Sequence, residues 1–564
     1  MSSGSPTLRR QLSVCTLLAV FLTYSPLLLA AKVTGEPGSI VATPPDMTYY
    51  ALQGDTLTGI AKRFTNKSQN WEVLSKRNHI ADDRAIPIGT AILIPADLLP
   101  EEASEARVVA LAGNPTYKTV DGAETALSIG TVVKEGTSIT TGKNGFLTLA
   151  FPDESRVSIP SNSQVSLSKL RKTKYVASPR TEISLSEGKV ESRVTSLSSN
   201  KGRFEVRSPL AVAGVRGTHF RVGINPDGTA NEVLEGGVAV GTGNKKTNEL
   251  ILPAGKGNIV GANGVGKAVD LLPPPVLETG YAIQTRPTVQ FIAQKSAVTA
   301  AYRVQIARDA QALDVLAENR FKENRFKFDG LEDGQYFVRL TAIDALGLEG
   351  LPLTTAFTLK ARPEPPFSIQ PKNKVRAASV DFTWTEAAHA YAYHLQVAKD
   401  AEFKNIILDQ ADIKDMQFSS ALPQGEYFWR IATVIQKNGQ FNQGPYGNIQ
   451  RFQKLPPQAA ASFSDSQSKQ ISFNWTAEPG QKFLIQIALD AEFKRLYLSQ
   501  ESDQAELKIP RPTASEYYIR VRATDADGYV GAFSATQKIT IQSRWTTSDG
   551  EAINSGSGAI HSGF

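Results

Sequence analysis

Cysteine is almost absent: of 564 residues only Cys15 carries a thiol. It opens an apolar run, so removal of that run leaves no disulfide, no thiol chemistry and no cysteine-held metal. Small exported domains usually lean on disulfides; domains built from this chain must rely on ordinary apolar cores. Histidine is scarce too, with five residues. No His-Glu-x-x-His occurs. His389 and His394 are an odd five positions apart, which sends them to opposite faces of a strand. A dense Lys/Arg stripe interleaved with aromatics is missing, which argues against nucleic acid as a partner. The formal charge of +6 is mild for this length.

The chain has ample length for several domains. Arg9 and Arg10 precede an apolar run from Leu12 to Ala31. This is the order of a secretory signal peptide over residues 1–31, with cleavage near Ala30 or Ala31. Loss of Arg9 and Arg10 takes the formal charge from +6 to +4. An uncleaved membrane anchor is the alternative. About 20 apolar residues span a bilayer, but Thr16, Thr23, Tyr24, Ser25 and Pro26 weaken that reading.

Residues 46–97 read as a β-α-α-β module. Tyr49 to Leu52 predicts a short strand, and Gly54-Asp55-Thr56 a turn. Asp55 or Thr56 is placed to cap the following helix, because a side-chain oxygen there accepts a bond from a free amide. Leu57, Ile60, Ala61 and Phe64 fall at helical spacing, as do Trp71, Leu74 and Asn78. Ile92-Leu93-Ile94 predicts a returning strand that Pro95 ends. With Ile80 and Ile88-Gly89, this order of residues closely resembles the LysM family, which binds glycans containing N-acetylglucosamine, peptidoglycan above all. The resemblance implies a shallow groove between two loops. Carried over by motif, its residues are Gly54, Asp55, Thr56, Leu57, Ile80, Ile86, Pro87, Ile88 and Gly89. Loop amides there bond an acetamido group while apolar side chains cover its methyl. Thr58, where the family often has an aromatic, and the longer stretch Thr65 to Asn70 depart from the pattern.

Residues 98–107, with Pro100-Glu101-Glu102, read as an acidic linker. Residues 108–272 switch to period-two alternation, with strands at Phe146 to Phe151, Arg156 to Ile159 and Phe204 to Val206. Asp153-Glu154 and Pro226-Asp227-Gly228 signal turns between them. Thr141-Gly142, Leu185 to Val190, Arg216-Gly217-Thr218-His219-Phe220 and Glu235-Gly236-Gly237-Val238 give this segment a resemblance to the FecR domain. That domain is the periplasmic part of a family of sigma-factor regulators. The resemblance implies a scaffold or protein-docking role. The family's signalling members carry a cytoplasmic anti-sigma segment before a membrane span. Only about eleven residues precede the apolar run here, too few for a folded domain. Arg216 is a candidate partner contact, but the favoured reading is that Arg216 is a surface charge and Gly217 supplies a special backbone conformation.

Past Pro273-Pro274-Pro275 the chain repeats itself. Tyr302 to Asp309, Tyr393 to Asp400 and Phe483 to Asp490 match, with their Asp residues 91 and 90 positions apart. Each is followed thirty residues later by an Arg: Arg339, Arg430 and Arg520. Such spacing marks duplication. The copies, at 276–362, 365–455 and 458–543, alternate in period two and are of sandwich size. They resemble fibronectin type III domains, with Trp384 and Trp475 as core residues and Phe291 in the equivalent strand of the first copy. A structural pair or a turn contact within each sandwich is the expected role of the Asp and Arg. Residues 546–564 are Ser/Gly-rich and read as a disordered tail.

Three local patterns mimic chemistry. Gly261 to Ala268 approaches a phosphate-binding loop but lacks its Ser/Thr and its helix, so a Gly-rich hairpin is expected. Ser166-x-x-Lys169 lies in a strand region, and no Lys-Thr-Gly accompanies it. Asp82-Asp83 is a loop pair with no partner acid at fixed geometry. The sequence therefore predicts a multidomain, mainly β, non-enzymatic exported protein without metal or cofactor. It is held to peptidoglycan in the periplasm or cell envelope and offers its β-domains to a protein partner. A membrane enters only if the leader stays uncleaved. A periplasmic sensor acting through the FecR-like segment is the first alternative, and a place in a cell-wall hydrolase system the second.

Overall fold

A computed structural model describes residues 35–43, 45–195, 202–215, 217–243, 245–465 and 469–543, with isolated positions beyond. The leader 1–31, Arg216 and most of the tail 546–564 lie outside the described residues. The chain divides into two compact units, Met1–Leu271 and Leu272–Phe564.

The first unit opens with a three-stranded antiparallel sheet of β1 (Ile40–Thr43), β2 (Asp46–Tyr50) and β3 (Ala91–Pro95). Strand β1 precedes the expected β-α-α-β order and is exposed along its whole length. Helices α1 (Leu57–Thr65) and α2 (Trp71–Asn78) cover the sheet. The helical spacing read from the sequence becomes the buried face of α1: Leu57, Ile60, Ala61 and Phe64 are at most 1% exposed. Each large apolar side chain so buried contributes roughly 1.5–3 kcal/mol. The stretch Thr65 to Asn70 contains a short 3-10 turn, Ser68–Asn70.

The expected linker at 98–107 is largely strand. Glu101–Ala103 pairs with Arg171 to Thr173, and Glu105–Ala112 joins a large sheet beside Phe146–Ala150. Ala106, Val108 and Ala110 point into the core while Glu105, Arg107 and Val109 face out. The acidic residues are thus the solvent side of strands. Two ten-stranded sheets follow. One contains Lys189–Arg193, His219–Asn225 and Gly228–Glu235. The other contains Gln164–Thr173, Pro179–Glu187, Val212–Val215 and Gly237–Thr242. They share one apolar core that includes Leu149, Val157, Ile183, Phe204 and Phe220.

The second unit holds three β-sandwiches. In the third, Ser462–Ser464, Gln470–Asn474 and Glu506–Pro510 form one sheet. Leu496–Ser502, Lys482–Ala488, Ser515–Thr524 and Gln537–Ile541 form the other. Trp384, Trp475 and Phe291 are 2%, 8% and 1% exposed, each in its sandwich core. In the second and third copies the recurrent Asp and Arg bond different partners. Asp400 accepts the amides of Lys404 (2.9 Å) and Asn405 (2.8 Å), and Asp490 those of Lys494 (3.0 Å) and Arg495 (2.7 Å). Arg430 and Arg520 bond Gln396 and Gln486, one strand over. Between the second and third sandwiches, Arg376 bonds both Glu478 (2.9 and 2.5 Å) and Asp525 (3.0 Å).

Candidate functional site

The two loops implied by the sequence meet at the end of the sheet in the first module. After β2 the chain turns at Gly54, whose φ of +82° suits glycine and strains other residues. Asp55 Oδ2 closes that turn by accepting the Leu52 amide (2.8 Å) and the Tyr49 hydroxyl (2.6 Å). Burial, then the Asp55 hydrogen bond, push the Tyr49 phenol above its ordinary pKa. Arg63 also donates to that hydroxyl at 3.1 Å. Thr56 caps α1, its Oγ1 accepting the Gly59 amide at 3.0 Å. The second loop is joined to the first by backbone. Leu57 N donates to Asp83 O (3.0 Å), Gly89 N to Ala51 O (2.8 Å) and Ala51 N to Thr90 O (3.0 Å).

Within this frame the nine residues separate by role. Gly54, Pro87 and Ile88 are exposed, and Ile88, at 54%, is more open than the other large exposed hydrophobics of the module, Leu52 and Val73. Asp55, Thr56 and Ile80 are half-buried. Asp55 and Thr56 hold the first loop, and Ile80 is braced by Ser75, whose Oγ donates to Ile80 O at 2.7 Å. Leu57 and Ile86 belong to the core, so they shape the loops from beneath. Gly89 is buried, with φ +76°, and its amide is spent on Ala51. Leu52, exposed at 41%, stands beside this junction. Its signal in the sequence was an apolar residue at the end of the expected strand Tyr49 to Leu52, just before the turn at Gly54. Asp82 accepts the Arg84 amide at 3.0 Å, and Asp83 acts through its carbonyl. Leu52, Pro87 and Ile88 are thus exposed apolar residues on the two paired loops. That arrangement suits a ligand with apolar and amide groups.

The other flagged residues do not assemble a site. Gly261 to Gly266 form a hairpin, with Gly261 opposite Gly264. Lys169 lies on a strand and pairs with Glu101 at 2.7 Å. His389 sits in a turn with φ +58°, whereas His394 bonds Asp409 (2.5 Å) and Gln443 (2.8 Å). Among the described residues no group of three or more His, Cys, Asp or Glu is arranged to hold a metal. In the FecR-like motif, Gly217 has φ +73°, and a Cβ on Gly236 would stand 2.8 Å from Gly217 O. Both glycines answer a tight backbone approach. A groove of about 1160 Å³ crosses the outer face of the second large sheet. Arg180, Arg203 and Arg207 alternate there with Glu182 and Glu205, and none of the loop residues lines it.

A mainly β, multidomain protein headed by a β-α-α-β module is the class that this architecture defines. Residues 51–95 match the model of the LysM domain, and residues 137–239 match that of the FecR protein family. No curated protein matches the chain. Among solved structures, a candidate anti-sigma factor from Parabacteroides distasonis ATCC 8503 is 20% identical with a TM-score of 0.19. It aligns with 23% of this chain, which spans 57% of its length. The FN1–FN3 domains of chicken CNTN1 are 16% identical with a TM-score of 0.19, over 47% of this chain and 98% of theirs. The LysM and FecR families are not enzyme families. No helix among the described residues is long and apolar enough to cross a membrane.

Proposed function

We propose that this chain is a non-enzymatic, exported peptidoglycan-binding protein of the cell envelope. The LysM module captures N-acetylglucosamine-containing glycan at the rim formed by the loops 52–57 and 80–89. The FecR-like domain and the sandwiches present a scaffold to a protein partner. The observation that carries this reading is the pairing of the two loops through Leu57–Asp83 and Gly89–Ala51, which holds them together beside the exposed side chains of Leu52 and Ile88. A single module gives no avidity, so binding is modest unless copies or partners add sites. Co-sedimentation of the full chain with insoluble sacculi tests the proposal. Retention that soluble N-acetylglucosamine oligomers compete away is expected, whereas a chain left in the supernatant overturns it.

The match of residues 137–239 to the FecR family favours one second reading, a signalling accessory in which the FecR-like domain engages a regulator. Cross-linking in cells distinguishes it: capture of a membrane-bound regulator through residues 137–239 is the expected result, and its absence leaves only the scaffold role.

A further inference from the structure

The LysM core is completed by a residue from outside the module. Val176, at the tip of the hairpin joining Gln164–Thr173 to Pro179–Glu187, is 6% exposed and packs in the same cluster as Ile60, Phe64 and Leu99. Its neighbour Tyr175 meets Phe64 edge-on at 5.6 Å, and Phe64 in turn packs on Tyr49 at 4.8 Å. The tip is anchored from the other side as well. Lys174 N donates to Pro100 O at 2.9 Å, and Arg180 pairs with Asp97 at 3.0 Å. Tyr175 and Ala177 have φ of +68° and +53°. Neither is glycine, so both pay strain that persists only where surrounding contacts over-determine the conformation.

Those contacts lead to the glycan rim without a gap. Tyr175 touches Phe64 on α1, Phe64 touches Tyr49, and the Tyr49 hydroxyl bonds the Asp55 carboxylate that closes the turn at Leu52. The N-terminus of the same helix is capped by Thr56 and tied to the second loop through Asp83. We propose that Tyr175 and Val176 are positioning residues for the glycan site. Docking of the FecR-like hairpin tip and occupancy of the rim are thereby thermodynamically linked, and wall binding is felt in the FecR-like domain. The inference rests on the glycan-binding reading above. It deepens that reading by supplying a route of regulation. Linkage is reciprocal: whatever hairpin docking adds to glycan affinity, glycan adds to hairpin docking.

Amide hydrogen exchange of the full chain, with and without saturating tetra-N-acetylchitotetraose, tests this. Val176 N and Ala177 N are bonded to Lys174 O and Thr173 O, so both report tip opening. Slowing of their exchange several-fold on adding the tetramer is expected. Tyr175→Ala and Val176→Ala should weaken tetramer affinity about 3- to 10-fold, while Tyr175→Phe, which keeps the ring against Phe64, retains it. A merely structural role for Tyr175 would not produce ligand-dependent exchange at the tip. If the tetramer binds but tip exchange is unchanged and Tyr175→Ala binds like the parent, the linkage is wrong and the binding proposal stands. If the tetramer does not bind the parent chain at all, the binding proposal fails and this inference with it.

Discussion

The Arg520 guanidinium lies 3.9 Å from the Phe493 ring centre, at the turn whose amides Asp490 accepts. Asp490 and Arg520 therefore serve one turn from two sides without touching. Phe493 has φ +58°, and the stacked cation holds this bulky residue in the left-handed region. Arg430, Phe403 and Asp400 repeat the arrangement in the second sandwich, with the same 3.9 Å separation. In the first copy the left-handed residue is Ala312, and Asp309 still accepts the Leu313 and Asp314 amides.

Arg520→Lys keeps the charge but loses the planar stack and the paired bonds to Gln486 Oε1 at 2.9 and 2.7 Å. The third sandwich should lose about 1 kcal/mol. Denaturant unfolding followed by exchange of its amides would show this, and a transition matching the parent would count against the clamp.

Asn78 makes both halves of an amide-to-backbone pair with Leu93. Its Oδ1 accepts the Leu93 amide at 2.7 Å and its Nδ2 donates to Leu93 O at 2.9 Å, pinning α2 to β3. Asn78→Ala should cost the LysM module about 1–3 kcal/mol through half-buried groups left unpaired. Faster exchange of α2 amides reports the loss, and Asn78→Asp should be intermediate because it keeps only the acceptor.

Ile88→Asp places a charge at the exposed rim, where no core contact is lost. Sacculus or tetramer affinity should fall more than about tenfold, with the circular dichroism spectrum and exchange of core amides unchanged. Undiminished binding by this variant would move the glycan site elsewhere.

Glu135 supplies a pH signature. The Arg171 guanidinium, bonded to it at 2.8 and 2.7 Å, holds its carboxyl down to about 2, with burial opposing and the Leu170 amide assisting. A depressed folded-state pKa stabilises above the unfolded value, and that stability is lost as pH falls. The window runs from about 4.5 down to about 2. Glu135→Gln should therefore be less stable than the parent at pH 7, with the gap closing as pH falls toward and through about 2 in parallel acid titrations. An equal gap at both ends would exclude the ion pair as its source.

Arg376 joins the second and third sandwiches, and Asp525, one of its partners, is 8% exposed. Arg376→Met leaves that carboxylate with Gln481 at 2.8 Å and Lys374 at 3.5 Å. The junction should weaken by about 2–3 kcal/mol. Faster exchange at Ala532, whose amide bonds Arg376 O, is the expected readout; protection equal to the parent would show that the pair contributes little.

Local signals carried much of the architecture. Leu57, Ile60, Ala61 and Phe64 declare α1 because helical periodicity is written within nine residues. The triplicated Asp-to-Arg spacing declares the sandwiches because duplication repeats the whole pattern. The start of the strand Glu105–Ala112 was hidden because inward Ala106 is small and outward Glu105 and Arg107 are charged. Asn78 stood out as a landmark, but its purpose depends on Leu93, fifteen residues away. Leu57 and Ile86 were both grouped with the glycan loops; helical spacing already put Leu57 on the apolar face of α1, whereas only packing reveals that Ile86 faces inward. The hairpin tip was invisible in sequence: nothing in Lys174-Tyr175-Val176-Ala177 points to a partner until Phe64 is placed beside it.

That last contact decides where the module can be cut. A graft of residues 46–97 into another protein would leave out both Leu99 and Val176 and carry a bare apolar scar around Phe64. The smallest transplantable version must bring the hairpin 164–187 with it or replace the missing plug.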